Sequence, residues 1–256
     1  EWRYTYLGGG HLLVAVIAIA IVGLVVTLVC EIAALATGHA MTAFEGGFWK
    51  VMGYVQLVWI PSYISILFFT HWKLVVPGAN DNLTGCVNAM AVMKYLSDND
   101  IRFENTEVRA VLTGSEEAGL RGAKAYAKRH KEELLATETV VLGLDTFRDL
   151  KDLAVYDRDL SGTLKHDKQA KELVKNAASN CGLDLPYASI YIGACDAAAF
   201  TQIGVKATGF AAMDPTPPRY YHTRLDSWEL LEPEAIRTGI EVVTEACCMY
   251  DAVGLK

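Results

Sequence analysis

The sequence predicts an α/β domain with a mixed, largely parallel sheet, preceded by an N-terminal pair of apolar helices that form a transmembrane hairpin. From Pro77 to the C-terminus, strand-like alternation and helix-like spacing take turns, which is the pattern of a layered α/β domain. Two earlier runs, Leu12 to Cys30 and Val51 to Thr70, carry no charged residue. Mean hydropathy is positive at +0.21 although 21% of the residues are charged, so the apolar excess is concentrated in those runs.

Leu12 to Cys30 is long enough to cross a hydrocarbon core of roughly 30 Å. Val51 to Thr70 reads as a second span, with Trp49, Tyr54 and Trp59 as interface-seeking rings and Pro61 as a kink. The loop Thr37 to Gly47 joins them, so both flanks fall on one side. Arg3 and Lys73 lie outside the hairpin and Glu45 and Lys50 at the loop, a charge balance that leans toward a cytoplasmic globular domain. Residues 1–73 are therefore expected to form the membrane hairpin and residues 74–256 the α/β domain.

Past Pro77, Gly78 to Asn82 is turn chemistry, and Cys86, Ala89, Met93 and Leu96 give a helix its buried face. Val108, Ala110 and Leu112 alternate as a strand, Gly114-Ser115 breaks it, and Leu120, Ala123, Ala127 and Leu134 mark a helix. Strands are expected at Val140 to Leu144, Leu153 to Tyr156, Ile190 to Ile192 and Val205 to Ala211. Helices are expected around Ala170 to Ala177, over Cys195 to Ile203, and from Ile236 to Tyr250.

Composition excludes some functions. A net charge of -7, with no basic stripe, argues against a nucleic-acid partner. The 6 cysteines are scattered, with no C-x-x-C pair, and read as reduced core thiols of a cytoplasmic-facing domain.

Polar residues at strand ends are the candidates for chemistry, because in open α/β sheets sites collect at that edge. Asp81 follows a turn, Glu116 and Glu117 follow a strand, Asp145 ends one, and His222 lies in the loop Asp214 to Asp226. Each has a plainer role open to it. Asp81 or Asp145 can cap a helix or turn, Glu116 and Glu117 can be first-turn acids, and His222 can be a solvated loop residue. Converging together, three carboxylates and an imidazole would repel unless cations neutralised them, and such an oxygen and nitrogen set suits zinc. Glu116 is then left over as a general base.

The segments PGANDNLTG (Pro77 to Gly85), TGSEEAGLRGA (Thr113 to Ala123), GLD (Gly143 to Asp145), CDAAAF (Cys195 to Phe200) and YHTRLDSWE (Tyr221 to Glu229) resemble, in this order, the motifs of the co-catalytic di-zinc aminopeptidases. The resemblance runs from about Val75 to the C-terminus. It implies a three-layer α/β/α zinc-exopeptidase-like domain acting on peptides with a free N-terminus. Carried over by residue, Asp81 bridges two zinc ions, Glu117 and His222 complete one, and Asp145 binds the other. Glu116 is the general base, Tyr221 steadies the oxyanion, and a cis peptide joins Asp81 to Asn82.

Two zinc ions with about four ligands each, sharing a carboxylate and a water, need one protein ligand more than these. The resemblance places it in a His-x-Asp motif upstream of the bridging aspartate, expected ahead of Glu1 with the hairpin inserted before Pro77. His71 is the alternative, though Lys73 stands where the orienting aspartate belongs. A membrane-anchored metallo-aminopeptidase in contact with lipid is the expectation. A glutaminyl-cyclase-like acyltransferase with one zinc and a catalytically silent binding domain are the alternatives. The loop Met213 to Tyr220 is expected to wall the pocket.

Overall fold

The computed structural model describes residues 1–39, 46–214, 216 and 218–255. Glu45 of the expected hairpin loop, and Pro215 and Pro217 of the expected pocket wall, lie outside the described residues. The chain divides into two compact units, one of residues 1–77 and 216–226, the other of residues 78–215 and 227–256.

In the first unit, α1 spans Arg3–Ala36 and is broken at Gly9, whose φ of 65° and ψ of -162° suit a residue without a side chain. A short helical stretch thus precedes the apolar run. α1 is long and apolar enough to cross a membrane, with roughly 40 Å of helix beyond Gly9. Leu24, Leu28 and Ile32 point outward, each more than half exposed.

The second apolar run is helical with the expected interruption at Pro61. It folds as α2 (Gly47–Gln56), a tighter turn at Leu57–Trp59, and α3 (Ile60–Leu67). Pro61 explains the break, since it sits in the first turn of α3, where its missing N–H costs nothing, and could not continue a helix from α2. These pieces pack on α1 at Gly23, where an added Cβ would lie 2.9 Å from the Trp59 ring. The Thr27 hydroxyl donates to Gln56 Oε1 at 3.1 Å and meets the Tyr63 hydroxyl at 3.2 Å. Small residues and polar pairs of this kind hold apolar helices together where apolar burial alone cannot.

The second unit is built on a mixed sheet. β1 (Val140–Phe147) runs parallel to β5 (Lys206–Ala212), and β2 (Leu153–Asp159) lies antiparallel on the other side of β5. β3 (Leu164–Lys165) pairs antiparallel, and β4 (Tyr187–Ser189) parallel, with β2. Alternation along the strands sorts two cores. Leu153, Val155, Phe210 and Ala212 face α4 (Gly85–Asp98), α7 (Lys168–Asn180) and α9 (Pro233–Val253). Ala154, Tyr156, Ala207 and Ala211 face α5 (Arg121–Arg129), α6 (Lys131–Ala136) and α8 (Ala197–Gln202). Helices on both faces of the sheet make the expected three-layer α/β/α domain.

Two expected strands come out differently. Residues 108–113 form no strand and join no ladder among the described residues; Leu112 is 51% exposed and Arg109 pairs with Glu107 and Glu133. Alternation alone makes no strand where no neighbouring backbone supplies the hydrogen bonds. The strand expected at Ile190 to Ile192 forms three residues earlier as β4, against Val155 to Arg158.

Candidate metal centre

Asp145 ends the regular part of β1 and is 8% exposed. Opposite it, the turn Ala79–Thr84 carries Asp81, whose peptide bond to Asn82 is cis as the resemblance implied. The turn is stitched to β1. Asn82 Nδ2 donates to the Leu144 carbonyl at 2.9 Å, while Asn82 Oδ1 accepts from the backbone N–H of Gly85 at 2.9 Å and of Thr146 at 3.0 Å. The Thr84 hydroxyl accepts from Phe147 N at 2.9 Å and donates to the Asn80 carbonyl at 2.7 Å. Gly85 is required here, because a Cβ would fall 2.2 Å from the Leu144 oxygen.

Glu116 and Glu117 sit in the turn before α5, as the Gly-Ser break predicts, although no strand precedes them. The turn is closed by Leu120 N to the Glu116 carbonyl at 2.7 Å and by Gly122 N to the Gly114 carbonyl at 3.0 Å. The approach is close enough that a Cβ on Gly122 would meet that carbonyl at 2.4 Å.

Carboxylate oxygens of Asp81 and Glu117 lie within 4.8 Å of each other. Burial is the largest influence raising the Asp145 carboxyl well above the usual carboxylate range, and the charges of Asp81, Glu116, Glu117 and Asp196 add to it. The Cys86 thiol on α4 is raised as well, by burial first and then by Asp145 and Asp196. Asp145 Oδ1 is buried and makes no hydrogen bond. Buried carboxylates crowded together are costly in water-poor surroundings, and a divalent cation both offsets the charge and satisfies such an oxygen. The donor set therefore fits a divalent cation.

His222 and Tyr221 belong to the first unit. His222 has a φ of 56°, a left-handed conformation uncommon outside glycine, in a loop where Thr223 is fully buried and its hydroxyl donates to the Arg219 carbonyl at 2.7 Å. Tyr221 stacks on the His222 ring at 4.0 Å. His71 lies in the same unit, its backbone N–H donating to the Glu1 carbonyl at 2.8 Å, and it enters no cluster of metal-donor atoms among the described residues.

Two contributors went unassigned in the sequence. Asn82 pins the Asp81 turn to β1, and Asp196 adds its charge to the cluster and accepts a hydrogen bond from the Thr113 hydroxyl. Both lie inside the quoted motifs PGANDNLTG and CDAAAF, which was the available signal. Asp196 follows Cys195, whose thiol joins Asp159 and His166 in a second, fully buried donor cluster. There Asp159 accepts from Cys195 Sγ at 3.0 Å and meets His166 Nε2 at 3.2 Å, and His166 Nδ1 meets the Thr201 hydroxyl at 2.8 Å. Those groups satisfy one another without an ion.

Residues 63–247 match the sequence pattern of peptidase family M28. The chain belongs to that family. Among M28-like relatives, aminopeptidase YwaD of Bacillus subtilis (strain 168) is 29% identical over 186 residues, covering 69% of this chain and 38% of that protein. Two solved structures share the fold at a TM-score of 0.57. The aminopeptidase from Aneurinibacillus sp. strain AM-1 is 27% identical, over 69% of this chain and 40% of that one. BSAP, described as a zinc aminopeptidase from Bacillus subtilis, is 28% identical, over 69% of this chain and 42% of that one. The chain thus spans less than half the length of these M28-like proteins.

Proposed function

We propose that this M28 chain belongs to a membrane-attached zinc aminopeptidase, with Asp81, Glu117, Asp145 and His222 as metal ligands and Glu116 as general base. The observation that carries this reading is Asp145: a buried carboxyl with an unsatisfied oxygen, surrounded by the charges of Asp81, Glu116 and Glu117. In the proposed arrangement Asp81, Glu117, His222 and Asp145 would together hold two ions, Asp81 being shared, Glu117 and His222 serving one and Asp145 the other. Bound zinc supplies Lewis acidity, which makes water acidic near neutral pH and polarises a peptide carbonyl.

The rest is the work of this chain's side chains. Glu116 takes the proton of the attacking water and returns it to the leaving amine nitrogen. The Tyr221 hydroxyl donates to the carbonyl oxygen as negative charge builds on it. The metal side of the site would hold the substrate's free α-amino group, so a peptide with a free N-terminus is the fitting substrate. α1 supplies the attachment to lipid, its outward Leu24 and Leu28 meeting acyl chains.

The test is Glu116→Gln in the full chain. Turnover of an aminoacyl substrate should fall by roughly 10²- to 10⁴-fold while zinc content holds. Near-parental rates would remove Glu116 from the mechanism.

A further inference from the structure

The segment leading into α1 does more than begin a membrane helix. The Trp2 backbone N–H donates to the His222 carbonyl at 2.8 Å, fixing the residue whose φ is 56°. The Trp2 indole meets the His222 ring edge-on at 4.1 Å between centroids, Tyr221 stacks on the same ring at 4.0 Å, and Trp2 and Tyr221 meet each other at 5.6 Å, so the imidazole sits in a corner formed by two aromatic rings. Glu1 adds a bidentate ion pair, its Oε2 accepting from Arg224 Nε and its Oε1 from Arg224 Nη2, both at 2.8 Å. Glu1 Oε2 also accepts from Arg224 N at 3.0 Å. The Glu1 side chain is 4% exposed, and the Arg224 hydrogen bond holds its carboxyl down at about 2, so the pair stays charged at any physiological pH.

The other face of the segment is tied down too. Arg3 N donates to the Phe69 carbonyl at 2.9 Å, and Trp2 packs on the Phe69 ring at 5.1 Å. The left-handed break at Gly9 then separates this stretch from the apolar length of α1. A membrane anchor alone gives no reason for such a clamp on one loop.

We propose that Trp2, supported by the Glu1–Arg224 ion pair, is a positioning element for His222: it fixes the backbone and ring orientation that metal binding by this histidine requires. The inference rests on the reading of His222 as a ligand. Neighbours that orient a ligating histidine are worth about 10- to 100-fold in metal affinity.

The test measures zinc binding to the full chain by competition with a chromogenic chelator, for the parent and for Trp2→Ala, Trp2→Phe, Arg224→Ala and His222→Ala. Trp2→Ala should weaken the site that His222→Ala abolishes by about 10-fold or more, Arg224→Ala should weaken it less, and Trp2→Phe should restore most of the affinity. Far-UV circular dichroism keeps unfolding apart from this local effect, and a folded Trp2→Ala protein is the one scored. If that protein binds zinc like the parent while His222→Ala loses an ion, the clamp is refuted and the ligand reading stands. If His222→Ala also binds like the parent, the ligand reading itself fails and the clamp with it.

Discussion

Asn82 should be the most sensitive position near the centre that is not itself an expected ligand. Its side chain makes three hydrogen bonds, one to Leu144 and two from the backbone N–H groups of Gly85 and Thr146, the latter only 4% exposed. Asn82→Ala leaves two N–H donors and one carbonyl with no side-chain partner. Unsatisfied buried groups cost about 1 to 3 kcal/mol each, and partial access of water to the turn favours a total near 3 kcal/mol. For a domain of this size that is a melting temperature lower by roughly 10 °C. Because the same bonds place Asp81 against the end of β1, zinc affinity should fall along with stability. Asn82→Asp keeps the acceptor for both N–H groups but adds a further negative charge to the cluster, so its deficit should be large without metal and shrink when zinc is added. Scanning calorimetry with and without chelator, alongside zinc analysis, reads all of this. An Asn82→Ala protein melting within about 2 °C of the parent with parental zinc content would refute the argument that this side chain builds the site.

Other positions give independent checks. Asp145→Asn removes a buried charge crowded by other carboxylates, so the chelated protein should be at least as stable as the chelated parent, while zinc no longer raises its melting temperature; a zinc-dependent rise of parental size would argue against ligation. Lys171, 6% exposed, hydrogen-bonds Asp157 and holds that carboxyl below its usual range. A depressed folded-state pKa stabilises above the ordinary aspartate value of about 3.9 and loses that contribution as pH falls below it. The stability gap between parent and Asp157→Asn should therefore be steady from pH 5 to 7 and close under acid, and a gap independent of pH would contradict the pairing. Leu24→Arg with Leu28→Arg puts charge on the outward face of α1, at about 2.5 to 3.5 kcal/mol each in a bilayer, and should move the protein from the carbonate-resistant membrane fraction to the supernatant.

Much of the fold was legible because local pattern and burial agree. The apolar runs of β1, β2 and β5 and the spacing of α4, α7 and α9 each serve one of the two cores, so the periodicity survives packing. Residues 108–113 have the same alternation but no ladder, which a single segment cannot reveal about itself. The second apolar run is interrupted ahead of Pro61, which was legible because a proline ring cannot continue the backbone hydrogen bonding of the helix before it.

The centre divides in the same way. Asp81, Glu116, Glu117 and Asp145 could be picked out because strand ends and turns mark where acids collect, and the structure gathers them around Asp145. Asn82 could not, since its role rests on partners 62 and 64 positions away. Trp2 meets a loop still farther along the chain, through one backbone hydrogen bond and a ring edge that no periodicity encodes.

The account's central claim is most directly tested by anomalous diffraction at the zinc edge from crystals of the full chain grown with zinc. It predicts peaks at zinc–oxygen bonding distance, about 2.0 to 2.2 Å, from the carboxylates of Asp81 and Asp145, with His222 in the same coordination shell. Peaks confined to the buried Asp159, His166 and Cys195 group, with none at Asp145, would contradict it.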